Sequence, residues 1–321
     1  MNNLEHFKFS EVENNQGQLY SDFRKKLTPH YFRAWGDIGF GYLLCIGTLI
    51  LSWFLERLHL EWGFLFVQIT IGSAVFGFWV SFLQLFVHEA AHYNLHPEKK
   101  RNDFLANFFL SYFVGLDVKN YRLTHWKHHA SLGKQVDSEN SYFNDLRLSF
   151  ILKLLTGIHA VETMLKRNDN PSDEGFRRRA KRALLCGLII NVWVVSGFVF
   201  FQSYGTAMVW IIGVGIFYPF WTALRQLLEH RNDKYKGQQI DFHNIEHGKT
   251  TRIFSLNLFS YFLGGAGFVN HMIHHWDPKI SYSQLNQAKK FLQSSPECKE
   301  IIVKSETTYL NVFSKLFVWR K

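Results

Sequence analysis

From Ile38 to Leu55 the chain carries no charged residue, and the run from Trp62 to Val87 repeats the pattern. A bilayer core is crossed by about 20 apolar residues, within a range of roughly 17 to 25, so each run predicts a spanning helix. A further uncharged run of 42 residues, Ala183 to Leu224, is interrupted by a turn-like QSYG at Gln202–Gly205. It predicts two more spans, and the expected arrangement is two helical hairpins over 38–55, 62–87, 183–202 and 206–224. Three weaker segments remain. Phe104–Val114 is apolar but short, the length of a re-entrant or interfacial piece. Ile253–Val269 is longer, but Gly264, Gly265, Gly267 and Asn257 weaken it as a spanning helix. Apolar positions at Ile151, Leu154, Leu155, Ile158, Val161 and Leu165 have the period of an amphipathic helix over 150–165.

Charge then orients the spans. Of the 36 Lys and Arg residues, 35 fall in 1–37, 88–182 and 225–321, and only Arg57 lies in a loop on the other side. Basic residues gather on the cytoplasmic side of a membrane. The expectation is therefore a multi-pass integral membrane protein with both termini and a basic cap in the cytoplasm. The net charge of +10 is accounted for by orientation and by attraction to anionic headgroups, so no nucleic-acid partner is expected. The 32 Phe and 10 Trp residues fit apolar spans joined to a charged portion. Three cysteines without paired spacing indicate neither a disulfide framework nor a thiolate zinc site. The polar N-terminus up to Asp37 is not a cleaved signal, and the first span is expected to be retained. No linker divides the chain, which reads as one domain over 1–321; the sequence specifies no oligomeric state.

The cap, as oriented by charge alone, receives an unusual set of histidines. LTHWKHHASLG places His125, His128 and His129 at i, i+3 and i+4, and NHMIHHWDP repeats that spacing as His271, His274 and His275. On a helix these offsets share one face, so three ring nitrogens can converge on one point. VHEAAHYNLH adds His88 and His92 at i, i+4. His96 continues the series, but Pro97 predicts that the helix stops first. His243 and His247 share the i, i+4 spacing but read as a solvated cap segment.

HEAAH also satisfies the HExxH pattern of zinc hydrolases, with Glu89 as general base. A membrane protease of that kind needs only one further ligand and an open water position, which leaves both HxxHH strings without a role. Eight box histidines exceed the four ligands of tetrahedral zinc, so two metals of higher coordination number are implied, and imidazole suits iron. Iron beside a lipid phase points to O2 activation and attack on an unactivated C–H bond. Glu89, Glu229, Asp137 and Asp277 lie in or close to the boxes and are candidates to orient imidazoles through the second ring nitrogen. Gln226 and Asn270 are candidates to hold a metal-bound water.

HEAAH, HWKHH and HMIHH, in this order around two pairs of apolar spans, resemble the three histidine boxes of the membrane-bound fatty acid desaturase family. LRQLLEH (Leu224–His230) and HMIHHWDPKISYSQL extend the resemblance over roughly 35–290. The resemblance implies an all-α membrane fold with four transmembrane helices and a helical cytoplasmic cap. It also implies two iron ions held by His88, His92, His125, His128, His129, His230, His271, His274 and His275 without a bridging carboxylate. His230 enters the ligand set through the resemblance alone. O2 would be co-substrate, and two electrons would come from a separate donor of ferredoxin or cytochrome b5 type with its reductase. No HPGG string signals a fused heme domain. The implied reaction introduces a double bond into the acyl chain of a membrane lipid or acyl thioester. A related hydroxylase is the alternative, because the first box, HxxxH with Glu89, also occurs among hydroxylating relatives.

Overall fold

The computed structural model describes residues 11–58, 62–133, 136–139, 142, 146–159, 161–162, 173–231 and 251–318. These are mostly helical, and four helices are long and apolar enough to cross a membrane: Tyr31–Arg57, Trp62–Ala91, Glu174–Phe200 and Tyr204–His230. Each expected span falls on one of these helices, and the third ends at Phe200, before the expected 202. The chain forms two compact units, passing between them after Arg33, Thr124, Asn144 and Leu224. One comprises 34–124 and 145–224; the other comprises 1–33, 125–144 and 225–321.

The first of these, the span unit, is built by close helix approach and a small number of polar ties. A Cβ at Gly77 would stand 2.5 Å from the Phe217 Cβ and 2.7 Å from the Gly213 carbonyl oxygen. Only glycine lets the second and fourth spans meet there. The turn between the third and fourth spans falls at the QSYG stretch, with Gln202 left-handed at φ 54°. Just beyond it, the Glu56 carboxylate accepts from the Gly205 and Thr206 backbone N–H groups at 2.8 and 3.1 Å. A carboxylate there satisfies donors that the first turn of a helix leaves open.

The apolar segment Phe104–Val114 does not cross. The helix Lys99–Ala106 passes into a π turn at Asn107–Ser111 and a 3-10 turn at Tyr112–Val114. Irregular backbone needs acceptors satisfied wherever water is scarce, and three spans supply them. The Tyr42 hydroxyl donates to the Phe109 carbonyl, the Gln84 amide donates to Leu110 at 2.6 Å, and the Asn191 amide donates to Phe113 at 2.7 Å. Replacing Gln84 and Asn191 together by Leu is expected to lower stability by about 2 kcal/mol, since buried carbonyls then lose their partners. A fall in the thermal midpoint in detergent, with release of this segment to hydrogen exchange, is the readout.

The expected helix over 150–165 is not continuous. Leu148–Leu155 is helical, and the chain breaks at Gly157, which is left-handed at φ 74° and sits where a Cβ would come 2.8 Å from the Gly215 carbonyl oxygen. Residues 163–165 lie outside the described ones.

The second unit, which carries seven of the nine expected ligands, is a cluster of short helices. Ile253–Val269 is no fifth span: it holds a two-residue strand (Ile253–Phe254), a six-residue helix (Leu258–Leu263) and a glycine-rich turn. The strand pairs in parallel with Glu306–Thr307. The N-terminal residues join this unit too, because Phe23 stacks on Phe291 at a centroid distance of 4.5 Å.

Candidate metal centre

His125, His128 and His129 lie on the helix Val118–Ser131, and His271, His274 and His275 lie on the helix His271–Trp276. The periodicity that predicts a shared face for each triplet is realised. His230 closes the last turn of Tyr218–His230. All seven side chains are buried. Their Nε2 atoms face one another in chains: His125 to His129 at 2.9 Å, His129 to His274 at 3.1 Å, His230 to His271 at 2.9 Å, and His271 to His275 at 3.2 Å.

Two neighbouring sets result. His125, His129 and His274 have ligand nitrogens within 4.8 Å of one another, as do those of His128, His230 and His275. The rings of His129 and His275, one from each set, have centroids 4.4 Å apart. Burial, reinforced by the neighbouring His230, holds the pKa of His271 well below the usual imidazole value; burial and His129 do the same for His275. Both are therefore neutral at physiological pH, the form that binds metal.

Such a set fits metal ions. A metal–nitrogen bond of about 2.1 Å puts two ligands at right angles about 3.0 Å apart and two tetrahedral ligands about 3.4 Å apart. The observed spacings of 2.9 to 3.2 Å are within the range over which nitrogens can share a metal ion. An all-imidazole donor set suits a transition metal and not magnesium or calcium.

Carboxylates support the rings. Asp137 lies 2.9 and 3.0 Å from His128 Nδ1, which directs Nε2 towards the cluster. Tyr142, absent from the expected site, donates its hydroxyl to Asp137 at 2.6 Å and accepts from the Gly133 N–H at 2.8 Å. Burial and the Asp137 carboxylate raise the phenol pKa of Tyr142 well above its usual value, so it remains a donor. Asp137→Asn is expected to lower metal affinity about 10–100-fold, the effect typical of outer-shell partners. Tyr142→Phe should cost less, because His128 keeps its carboxylate; metal titration of the purified chain measures both.

Glu229 forms a third set with His230 and His271, their ligand atoms within 4.8 Å of one another. Its oxygens lie 3.5 Å from Arg225 Nε, 3.4 Å from the Tyr309 hydroxyl and 3.9 Å from His271 Nε2. Asp277 serves otherwise, accepting from Arg24 and from Tyr20, and so ties the N-terminal helix to the residue after the third box. The Gln226 amide donates to the Glu139 carbonyl at 3.0 Å. Asn270 precedes the third-box helix and makes no side-chain cap. Glu139, with a carboxylate oxygen 3.8 Å from His125 Nδ1, is a neighbour that the sequence did not single out.

The first box belongs to the span unit. His88 and Glu89 lie in the last turn of Trp62–Ala91, and His92 lies in the turn that follows, its ring centroid 4.9 Å from that of His88. Glu89 is buried and accepts from Asn94 at 3.0 Å. Arg122 closes this helix end: Nε donates to the Ala91 carbonyl at 2.8 Å, a terminal nitrogen donates to Ala90 at 3.0 Å, and Asp103 pairs with the charge. The guanidinium also lies 3.8 Å above the Tyr93 ring. His96 caps a turn instead, its Nδ1 accepting from the Glu98 N–H at 3.0 Å. His243 and His247 lie outside the described residues.

A fatty acid desaturase family model matches residues 62–302, which contain all three boxes and His230. The chain belongs to the fatty acid desaturase family. Membership makes it an oxidoreductase of the membrane, and the histidine sets of this desaturase-family chain stand within the matched region. No curated protein matches the chain.

Proposed function

We propose that this chain is an O2-dependent di-iron lipid desaturase that introduces a double bond into an acyl chain. The convergence of six buried imidazoles on two adjacent sets, with the buried His271 beside them, carries the reading. In the pattern of the family's boxes, His88 and His92 complete a nine-histidine ligand set. Bound iron would supply O2 activation and removal of hydrogen from an unactivated methylene. The overall reaction removes two hydrogens from the acyl chain and, with two further electrons from a separate donor and two protons from water, reduces O2 to two waters. The protein holds neutral imidazoles in place through Asp137, surrounds them with buried side chains that exclude water, and positions the substrate chain. The basic residues favour a cytoplasmic cap with both termini on that side, and an acidic electron carrier of ferredoxin or cytochrome b5 type. A zinc protease built on HEAAH would have no use for the clustered HxxHH strings.

Expression in a host whose lipids are saturated, followed by mass spectrometry of its total lipids, tests the proposal. A new O2-dependent alkene is expected. A new hydroxyl would assign the chain to the hydroxylating relatives, and unchanged lipids in cells with a competent donor would contradict both.

A further inference from the structure

Leu256, Leu258, Phe259, Leu310 and Phe313 are exposed by 73, 78, 55, 75 and 37%. They belong to the histidine-bearing unit, and the parallel pairing of Ile253–Phe254 with Glu306–Thr307 brings their two chain segments side by side. The Ser255 N–H donates to the Thr307 carbonyl at 2.8 Å, and the Phe259 and Tyr309 rings have centroids 6.5 Å apart. Large apolar side chains grouped in this way on a surface mark a contact with another apolar phase.

Two observations identify that phase. The second of these segments packs on the helix that carries the fourth span, where Tyr309 donates to Glu229; Arg225 of that helix lies 4.4 Å above the ring of Phe268, in the turn that follows the first. Glu229 follows Leu224, the end of the uncharged run, by five residues of one helix, a rise of about 7.5 Å. The patch is thus held by a helix continuous with the uncharged run, through contacts within about two turns of that run's end. Its charge agrees: residues 308–321 contain Lys315, Arg320 and Lys321 and no acidic residue. Such a basic, aromatic-rich sequence suits an anionic lipid surface.

We infer that this face inserts into the membrane interface and seats the histidine-bearing unit on the bilayer. Its C-terminal half, Tyr309–Phe313, lies beyond the family-matched residues 62–302. This contact stands apart from the redox reading, because lipid contact requires no turnover.

Leu258→Cys, Leu310→Cys and, as a control on an exposed polar position, Glu300→Cys are each labelled with an environment-sensitive fluorophore in the full chain. The unsubstituted chain, labelled in parallel, serves as the blank for Cys45, Cys186 and Cys298. In vesicles of phosphatidylcholine and phosphatidylserine, a nitroxide on the lipid acyl chain should quench the labels at 258 and 310 at least about threefold more than the label at 300, as expected for side chains roughly 5–10 Å into the interface. Quenching no stronger than at 300, with access to aqueous iodide, would overturn the inference. Protection from both quenchers would overturn it as well, assigning the face to a protein partner or a second copy.

Discussion

His275→Ala is expected to abolish turnover and to lower bound iron below two per chain while leaving the helical content intact. The residue stands where the two imidazole sets meet: its Nε2 lies 3.2 Å from that of His271, it shares a set with His128 and His230, and its ring centroid is 4.4 Å from that of His129. Removing it takes a donor from one metal position and a neighbour from the other. The loss should exceed the roughly 10–100-fold typical of outer-shell groups, because the substitution removes a ligand atom itself. Iron analysis beside turnover distinguishes this from misfolding. Full iron content with unchanged turnover would remove His275 from the ligand set.

The largest effect on stability is expected at Arg122. Its guanidinium is buried, satisfies the Ala90 and Ala91 carbonyls and pairs with the buried Asp103 carboxylate. Arg122→Met leaves that carboxylate and two helix-end carbonyls without their cation, a loss of about 3–5 kcal/mol for a broken buried pair. In detergent the thermal midpoint should fall by roughly 5 °C or more. Pairing it with Asp103→Leu should restore part of the loss, since replacing both partners removes the uncompensated charge. The helix end at stake carries His88 and His92, so iron affinity is expected to fall along with stability.

Much of this was legible in the sequence because it rests on short-range regularity. Uncharged runs marked all four spans, and the i, i+3, i+4 spacing marked two of the histidine helices. The glycine-rich apolar stretch 253–269 was left open between interfacial and spanning, its Gly264, Gly265 and Gly267 only weakening a helix, and it folds as a strand, a short helix and a turn. The supporting groups were harder to read. Tyr142 bonds Asp137 within a loop of no fixed period, and Arg122 caps a helix 31 residues earlier in the chain. Asp277 lies beside a box, yet its partners are Arg24 and Tyr20, more than 250 residues away. Proximity in sequence suggested an imidazole partner, whereas folding brought a cation. The continuous helix expected over 150–165 failed at Gly157, where apolar periodicity passes unchanged through a residue that the backbone turns left-handed.

The central claim is that clustered, neutral imidazoles hold two iron ions. Reconstituting the full-length purified chain with ferrous 57Fe, then measuring iron per chain together with its Mössbauer spectrum, tests it most directly. Two irons per chain in nitrogen-rich sites are expected, with one lost in His275→Ala. A single tetrahedral metal, or iron that binds without disturbance from that substitution, would contradict the account.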